Sequence, residues 1–188
     1  MAAGEPTAPA AAVGPEPASG SLVAEVFCDG ACIGNPGPGG YGVIVRVPGR
    51  SVQRDSGGLA RTTNNQMELT AAIVGLTLAV EAGATTIHVS TDSEYVVNGM
   101  NGWVANWKRR GWRTTTGSPV KNQEMWQALD SLTTGVQVVW RWIPGHAGHP
   151  ENEECDRLAT AAAREAARRP AARSRRVGPR RAPSRGRG

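Results

Sequence analysis

The stretch LVAEVFCDGACIGNPGPGGYGVIVRVPGRSVQRDSGGL, Leu22 to Leu59, decides the fold. Three runs within it have the apolar and β-branched make-up of strands: Leu22–Cys28, Tyr41–Val47 and Ser51 to about Leu59. Pro48-Gly49-Arg50 joins the last two, and a connection that short predicts antiparallel neighbours. Working outward, Thr63-Asn64-Asn65-Gln66 reads as a capping box of the T-x-x-Q kind that opens a helix over Met67–Ala82, apolar over more than half its turn and ended near Gly83. A short strand, Thr86–Thr91, follows, then helical stretches to about Arg110, a helix at Asn122–Leu132, a strand at Val136–Trp142 and a last helix from Glu151 to about Arg169. Strands first, then alternating helix and strand, predict an α/β fold: a mixed five-stranded sheet with helices on both faces.

The flanks have a different composition. Residues 1–20 are mostly Ala, Pro, Gly and Glu and hold almost no large apolar side chain, too little to offset the entropy of ordering, so a disordered tail is expected. Pro170 stops an Ala/Arg helical run, and the Arg-rich 170–188 segment has no hydrophobic periodicity; a second disordered tail is expected there. That leaves 21–169 as one domain within the 188 residues. The net charge of +5 is unevenly placed: Arg164 to the end contributes ten Arg against Glu165, or +9, which leaves −4 for residues 1–163. Bulk attraction to a polyanion therefore belongs to the tail, and the domain must be judged by where its charges sit.

No stretch approaches the roughly 18 consecutive apolar residues of a membrane span, and the N-terminus lacks a basic region followed by an apolar one. Cys28, Cys32 and Cys155 are an odd set without zinc-like pairing, which fits a reducing compartment. A cytoplasmic protein without a membrane partner is expected, and nothing points to an obligate partner chain, so a monomer is expected too.

Four acids fall at informative places: Asp29 at the end of the first strand, Asp92 at the end of the fourth, Glu68 early in the first long helix and Asp156 within the first two turns of the last. Sites in sheets with parallel pairs form beyond the carboxyl ends of strands, so these four can converge. Carboxylates about 4 Å apart repel by about 4 kcal/mol per pair at an effective dielectric of 20, and a cluster makes sense only with cations to neutralise it. Oxygen ligands favour magnesium, with manganese as the alternative, and the chemistry such a site serves is two-metal phosphoryl hydrolysis. Taken singly, each acid has a structural alternative as a cap, a turn residue or a helix N-terminal anion. Periodicity does not choose between these readings.

The sequences around the acids do. CDGACIGNPGPGGYG (28–42), RTTNNQMEL (61–69), STDSEYV (90–96) and IPGHAGHPENEECDRLA (143–159) resemble the four signature blocks of type I ribonucleases H, in the family's order and covering essentially the whole core. The resemblance implies the ribonuclease H fold and an endonuclease that cuts the RNA strand of RNA–DNA hybrids to 5′-phosphomonoester ends, largely without sequence preference. It implies Asp29, Glu68, Asp92 and Asp156 as catalytic metal ligands for two magnesium or manganese ions in the substrate-bound site. His146, in the Gly-rich loop Gly145–Pro150, is implied to help move protons or release product, a task suited to a side chain that titrates near neutrality. His149 and His88 have no matched role and are read as structural.

Reading RNA against DNA means sensing the 2′-hydroxyl. By the same resemblance, Cys32, Asn35, Asn64, Asn65 and Gln66 line the minor groove of the hybrid, and Arg61, Thr63 and Asn64 form a phosphate pocket on the DNA strand, behind which a helix N-terminus favours an anion. Capping alone is the simpler reading of Thr63 and Asn64. Trp103, Lys108, Arg109, Arg110, Trp112 and Arg113 match a basic protrusion that rides on the hybrid; by spacing alone Trp103 and Trp107 would be core and the cations a solvated face. Gln66 stands where many relatives have Arg. Two other readings share these features: a DNA nuclease of the same fold, integrase- or resolvase-like, and a non-catalytic nucleic-acid-binding protein.

Overall fold

The computed structural model describes residues 21–169; the two expected tails, 1–20 and 170–188, lie outside the described residues. Strands β1 (Val23–Cys32), β2 (Gly37–Arg46) and β3 (Gln53–Thr62) come first, followed by helix α1 (Asn64–Glu81) and strand β4 (Thr86–Thr91). Helix α2 (Glu94–Asn98) runs through a π-helical turn, Gly99–Trp103, into α3 (Val104–Arg109); then come α4 (Gln123–Leu132), β5 (Gln137–Trp142) and α5 (Pro150–Arg168). The sheet order is β3-β2-β1-β4-β5. β1 pairs antiparallel with β2 and β2 with β3, while β1–β4 and β4–β5 are parallel. This is the mixed five-stranded sheet expected from the sequence.

The hairpin strands run further than their apolar runs suggest. β1 continues through Asp29 to Cys32, because β2 still pairs with it there, whereas its parallel pairing with β4 stops at Phe27↔Ser90. Asp29 therefore sits inside a strand, at the point where one neighbour has ended and the other has not.

Helices α1 and α5 cover opposite faces. On one face Leu69, Ala72, Leu76 and Ala79 of α1 pack against Val26, Val43 and Val45, all at most 1% exposed. Gly75 lets α1 approach closely, since a Cβ there would meet Val26 Cγ1 at 2.5 Å. On the other face Cys155, Ala159, Ala163 and Ala166 form the buried stripe of α5. Glycines meet this stripe: a Cβ on Gly40 would lie 2.7 Å from Ala162 Cβ, one on Gly42 2.7 Å from Leu158 Cβ, and one on Gly58 2.6 Å from the Ala162 carbonyl. The helix thus lies almost on the strand backbone, closer than side-chain packing allows. Ion pairs Arg46–Glu151 (2.7 Å) and Arg54–Glu154 (2.6 Å) hold the first turns of α5 over β2 and β3. Among the described residues no helix is long and apolar enough to cross a membrane.

The basic segment is anchored by aromatic rings. Tyr95, Trp103, Trp107 and Trp126 form a chain with centroids 5.1–5.9 Å apart, tilted or edge-on, and Trp126 of α4 is fully buried. Trp103 keeps 39% of its surface exposed, while Trp107 and Trp112 are half-buried against the core.

Candidate active site

The carboxyl ends of the parallel strands β1, β4 and β5 form one edge, and the expected catalytic acids gather there. Asp29 lies two residues beyond the last β1–β4 pair, and Asp92 directly follows β4. Glu68 is in the second turn of α1 and Asp156 in the second turn of α5, so the two faces of the sheet each send one acid over the edge. Gly30 permits the α1 approach: a Cβ on it would collide with the backbone at Glu68, 2.8 Å from its Cα and closer still to its nitrogen.

Asp29 is 9% exposed, and its Oδ1 accepts a hydrogen bond from the Gly30 N–H at 2.7 Å. Burial raises its carboxyl from the ordinary 3.8 to about 7; the charge of Asp92 adds to this, and those of Asp156 and Glu68 add less, against the Gly30 hydrogen bond. Glu68 is also raised, by burial first and then by Asp92, while hydrogen bonds from Ser93 and Asn64 oppose the shift. Asp29 thus feels all three other acids. Such a cluster calls for cations, and an all-carboxylate donor set fits a hard divalent one. Among the described residues no three His, Cys, Asp or Glu side chains are already gathered around a single metal point.

Around the four acids stand residues that periodicity gave no means of finding. Ser93 donates to Glu68 Oε2 at 2.5 Å, and Asn64 donates to Glu68 Oε1 at 2.7 Å. Asn152, 2% exposed, gives its amide to Asp92 Oδ2 at 3.3 Å, and its own Oδ1 has no hydrogen-bond partner among the described residues. Trp142, at the end of β5 and 48% exposed, donates its indole N–H to the Asp92 carbonyl at 3.0 Å. All four lie beside or inside the signature blocks, which is the one signal that points at them.

His146 is exposed on the loop between β5 and α5, with a left-handed φ of 54°. Gly145 carries that loop past Asp92, since a Cβ there would lie 2.6 Å from Asp92 Oδ2. Gly145→Ala should therefore displace either the loop or the carboxylate, and a loss of about 10- to 100-fold in kcat at unchanged folding is expected. Cleavage kinetics set beside circular dichroism would check this, and a full-rate variant would show that the loop has room to spare. His149 precedes α5 as its N-cap, with no side-chain cap bond, and His88 is half-buried in β4.

In the groove beside the acids, Cys32 directs its thiol at the carbonyls of Gly37 and Thr62, both at 3.6 Å, and Asn35 Oδ1 accepts the Asn64 N–H at 3.3 Å. Arg61 is exposed on β3 and Asn65 is half-buried in the first turn of α1. Thr63 caps α1, and Gln66 completes the capping box by accepting the Thr63 N–H at 3.1 Å. Gln66 also reaches Thr62 (3.0 Å) and Asn122 (3.4 Å), so its amide is engaged at both ends within the protein. In the basic segment Lys108 is ion-paired with Asp130 at 2.8 Å, Arg109 bonds Asn106, and Arg113 bonds the Gly117 carbonyl at 2.8 Å. Arg110 is exposed.

A family model for RNase H matches residues 22–164. Ribonuclease H of Escherichia coli is 55% identical over 139 residues, covering 74% of this chain and 88% of that protein. Among solved structures, LC9-RNase H1 is 36% identical with a TM-score of 0.68, covering 77% of this chain and 74% of that one. The N-terminal RNase H domain of a Mycobacterium tuberculosis protein, solved as a fusion with maltose binding protein, is 32% identical with a TM-score of 0.63, covering 78% and 97%. The matches span the whole acid-bearing sheet edge and both helices that complete it, and the chain belongs to the ribonuclease H family, in its bacterial type I branch.

Proposed function

We infer that this ribonuclease H hydrolyses the RNA strand of RNA–DNA hybrids at the arc of Asp29, Glu68, Asp92 and Asp156, with two divalent cations. The observation that carries this reading is the gathering of four acids from β1, β4, α1 and α5 at one sheet edge, with Asp29 buried among them, a concentration of carboxylates that cations relieve. Magnesium or manganese held by these four carboxylates would supply Lewis acidity to the attacking water and to the departing 3′ oxygen, leaving a 5′-phosphate and a 3′-hydroxyl.

The chain's own residues do the rest. Asn35 and Asn64, joined by a hydrogen bond between the β1–β2 turn and the start of α1, present short polar groups to the minor groove, with Cys32 and Asn65 alongside and Gln66 close by, its amide bonded to Thr62, Thr63 and Asn122. Arg61 and Thr63, at the start of α1, grip a DNA phosphate, while Trp103, Lys108, Arg109, Arg110 and Trp112 ride on the backbone beyond. Contacts to sugar and phosphate position the hybrid without reading its bases, so cleavage is largely independent of sequence. His146, exposed on its loop, carries a proton to or from the reacting phosphate and leaves with the product. A cytoplasmic location and a monomeric state go with this reading.

A labelled RNA–DNA hybrid incubated with magnesium, with manganese or with chelator tests it, with duplex DNA and single-stranded RNA alongside. Metal-dependent cleavage confined to the RNA of the hybrid is expected. Cleavage of duplex or branched DNA would favour the DNA-nuclease alternative, and binding without cleavage the non-catalytic one.

The Arg-rich segment beyond Pro170 is read as an auxiliary grip on the phosphate backbone. Removing 171–188 deletes seven Arg, so hybrid affinity should fall and its salt dependence flatten by about one or more in the slope of log K against log salt. An unchanged slope in a filter-binding salt series would count against the grip.

A further inference from the structure

Glu68 is held from two sides, and the two holds differ in kind. Its Oε1 is bonded by Asn64, half-buried at the rim of the groove, whose backbone is itself tied to Asn35 of the β1–β2 turn. Its Oε2 is bonded at 2.5 Å by Ser93, which is 4% exposed. Ser93 is fixed by everything else it does: its Oγ accepts the Val96 N–H at 3.3 Å and so caps α2, and its own N–H is bonded by Thr91 Oγ1 at 3.2 Å, where Thr91 is 2% exposed. A substrate entering the groove can take the Asn64 amide. It cannot reach Ser93.

The stretch Thr91-Asp92-Ser93 thus carries one acid of the arc in its middle and the anchor of a second acid at its end. We propose that Ser93 is a positioning residue of the metal site, a hydroxyl that tethers Glu68 to the β4–α2 junction bearing Asp92 and sets the spacing of these two carboxylates before metal or hybrid arrives. The inference rests on the hydrolytic reading only for its kinetic consequence; the tether itself concerns metal binding. Hydrogen bonds of this type to a ligand carboxylate commonly govern metal affinity by about 10- to 100-fold.

Ser93 is also an N-cap, so the test must separate tether from cap. Ser93→Thr keeps a hydroxyl, Ser93→Gly loses it but caps nearly as well as Ser, and Ser93→Ala loses both. Manganese is titrated into the substrate-free full chain, with free ion read by electron paramagnetic resonance, and unfolding by urea is followed in chelator. If Ser93 tethers Glu68, the Gly and Ala variants both bind manganese about tenfold more weakly and the Thr variant stays near wild type, although Ala is less stable than Gly. On the hybrid, the Gly variant should keep its KM within about twofold and lose kcat at limiting metal. Wild-type manganese affinity in both hydroxyl-free variants overturns the proposal. Affinity that follows stability, weak in Ala and normal in Gly, overturns it in favour of capping alone. If the wild-type chain binds manganese with this Ser93 dependence yet leaves the hybrid intact, the hydrolytic reading fails and the tether stands.

Discussion

Replacing Asp29 by Asn should lower hybrid cleavage by about 10³-fold or more, because in the proposed mechanism it removes one anionic ligand from a metal site whose catalytic contribution is several kcal/mol, and each 1.36 kcal/mol is tenfold. The substitution is nearly isosteric, and the amide oxygen can still accept the Gly30 N–H that Asp29 Oδ1 accepts at 2.7 Å. What changes is charge at the point where the fields of Asp92, Asp156 and Glu68 meet. With the geometry kept and the charge gone, the loss reports the metal-holding role rather than damage to the fold. Initial rates on labelled hybrid in magnesium, normalised to folded protein by far-UV circular dichroism, measure it. A variant within about tenfold of wild type would remove Asp29 from the ligand set.

The fold and the acids are both legible in the sequence, through two different kinds of signal. The sheet followed from alternation, punctuation and connection length: the run Tyr41–Val47, the turn at Pro48-Gly49-Arg50 and the capping box at Thr63 each have a local physical signature, and each lies where expected. Strand ends were less legible, because β1 is prolonged to Cys32 by pairing with β2, a tertiary effect without a local mark. The acids were nameable only through their flanking blocks. Gly42 and Gly58 fall inside the runs read as strands and Gly40 just before one, but nothing local shows that they lie under α5, where their missing side chains admit the helix backbone. Gly30 and Gly145 act in the same way at the site, beside Glu68 and Asp92. Absence of a side chain is a long-range instruction, and one-dimensional patterns do not show what it makes room for. The hydroxyl of Ser93 and the amide of Asn152 were hidden for the converse reason: their partners are 25 and 60 residues away.

The burial of Asp29, and after it the neighbouring charge of Asp92, should make the metal-free protein less stable as pH rises, and Asp29→Asn should remove much of that loss. A carboxyl raised in the folded state from 3.8 to about 7 favours folding when protonated. Its contribution is fully present below the unfolded value and is lost as pH climbs through the folded one, between about pH 4 and pH 7. Complete ionisation of Asp29 then costs up to about 4 kcal/mol, at 1.36 kcal/mol per pH unit of separation, and Glu68, raised in the same direction, adds to the slope. Asn has no charge to bury. In chelator, the variant should exceed wild type in unfolding free energy by a few kcal/mol at pH 8, and the advantage should shrink toward zero near pH 4. Taking the difference between the two proteins cancels every group that titrates alike in both. Urea titrations at several pH values, with and without magnesium, give this difference directly. Magnesium should narrow the gap at pH 8, since it binds the folded wild type more tightly than the variant and stabilises it by mass action. A difference that stays flat from pH 4 to pH 8 would mean that Asp29 is ionised throughout and that the acids are already relieved of their mutual charge without any metal.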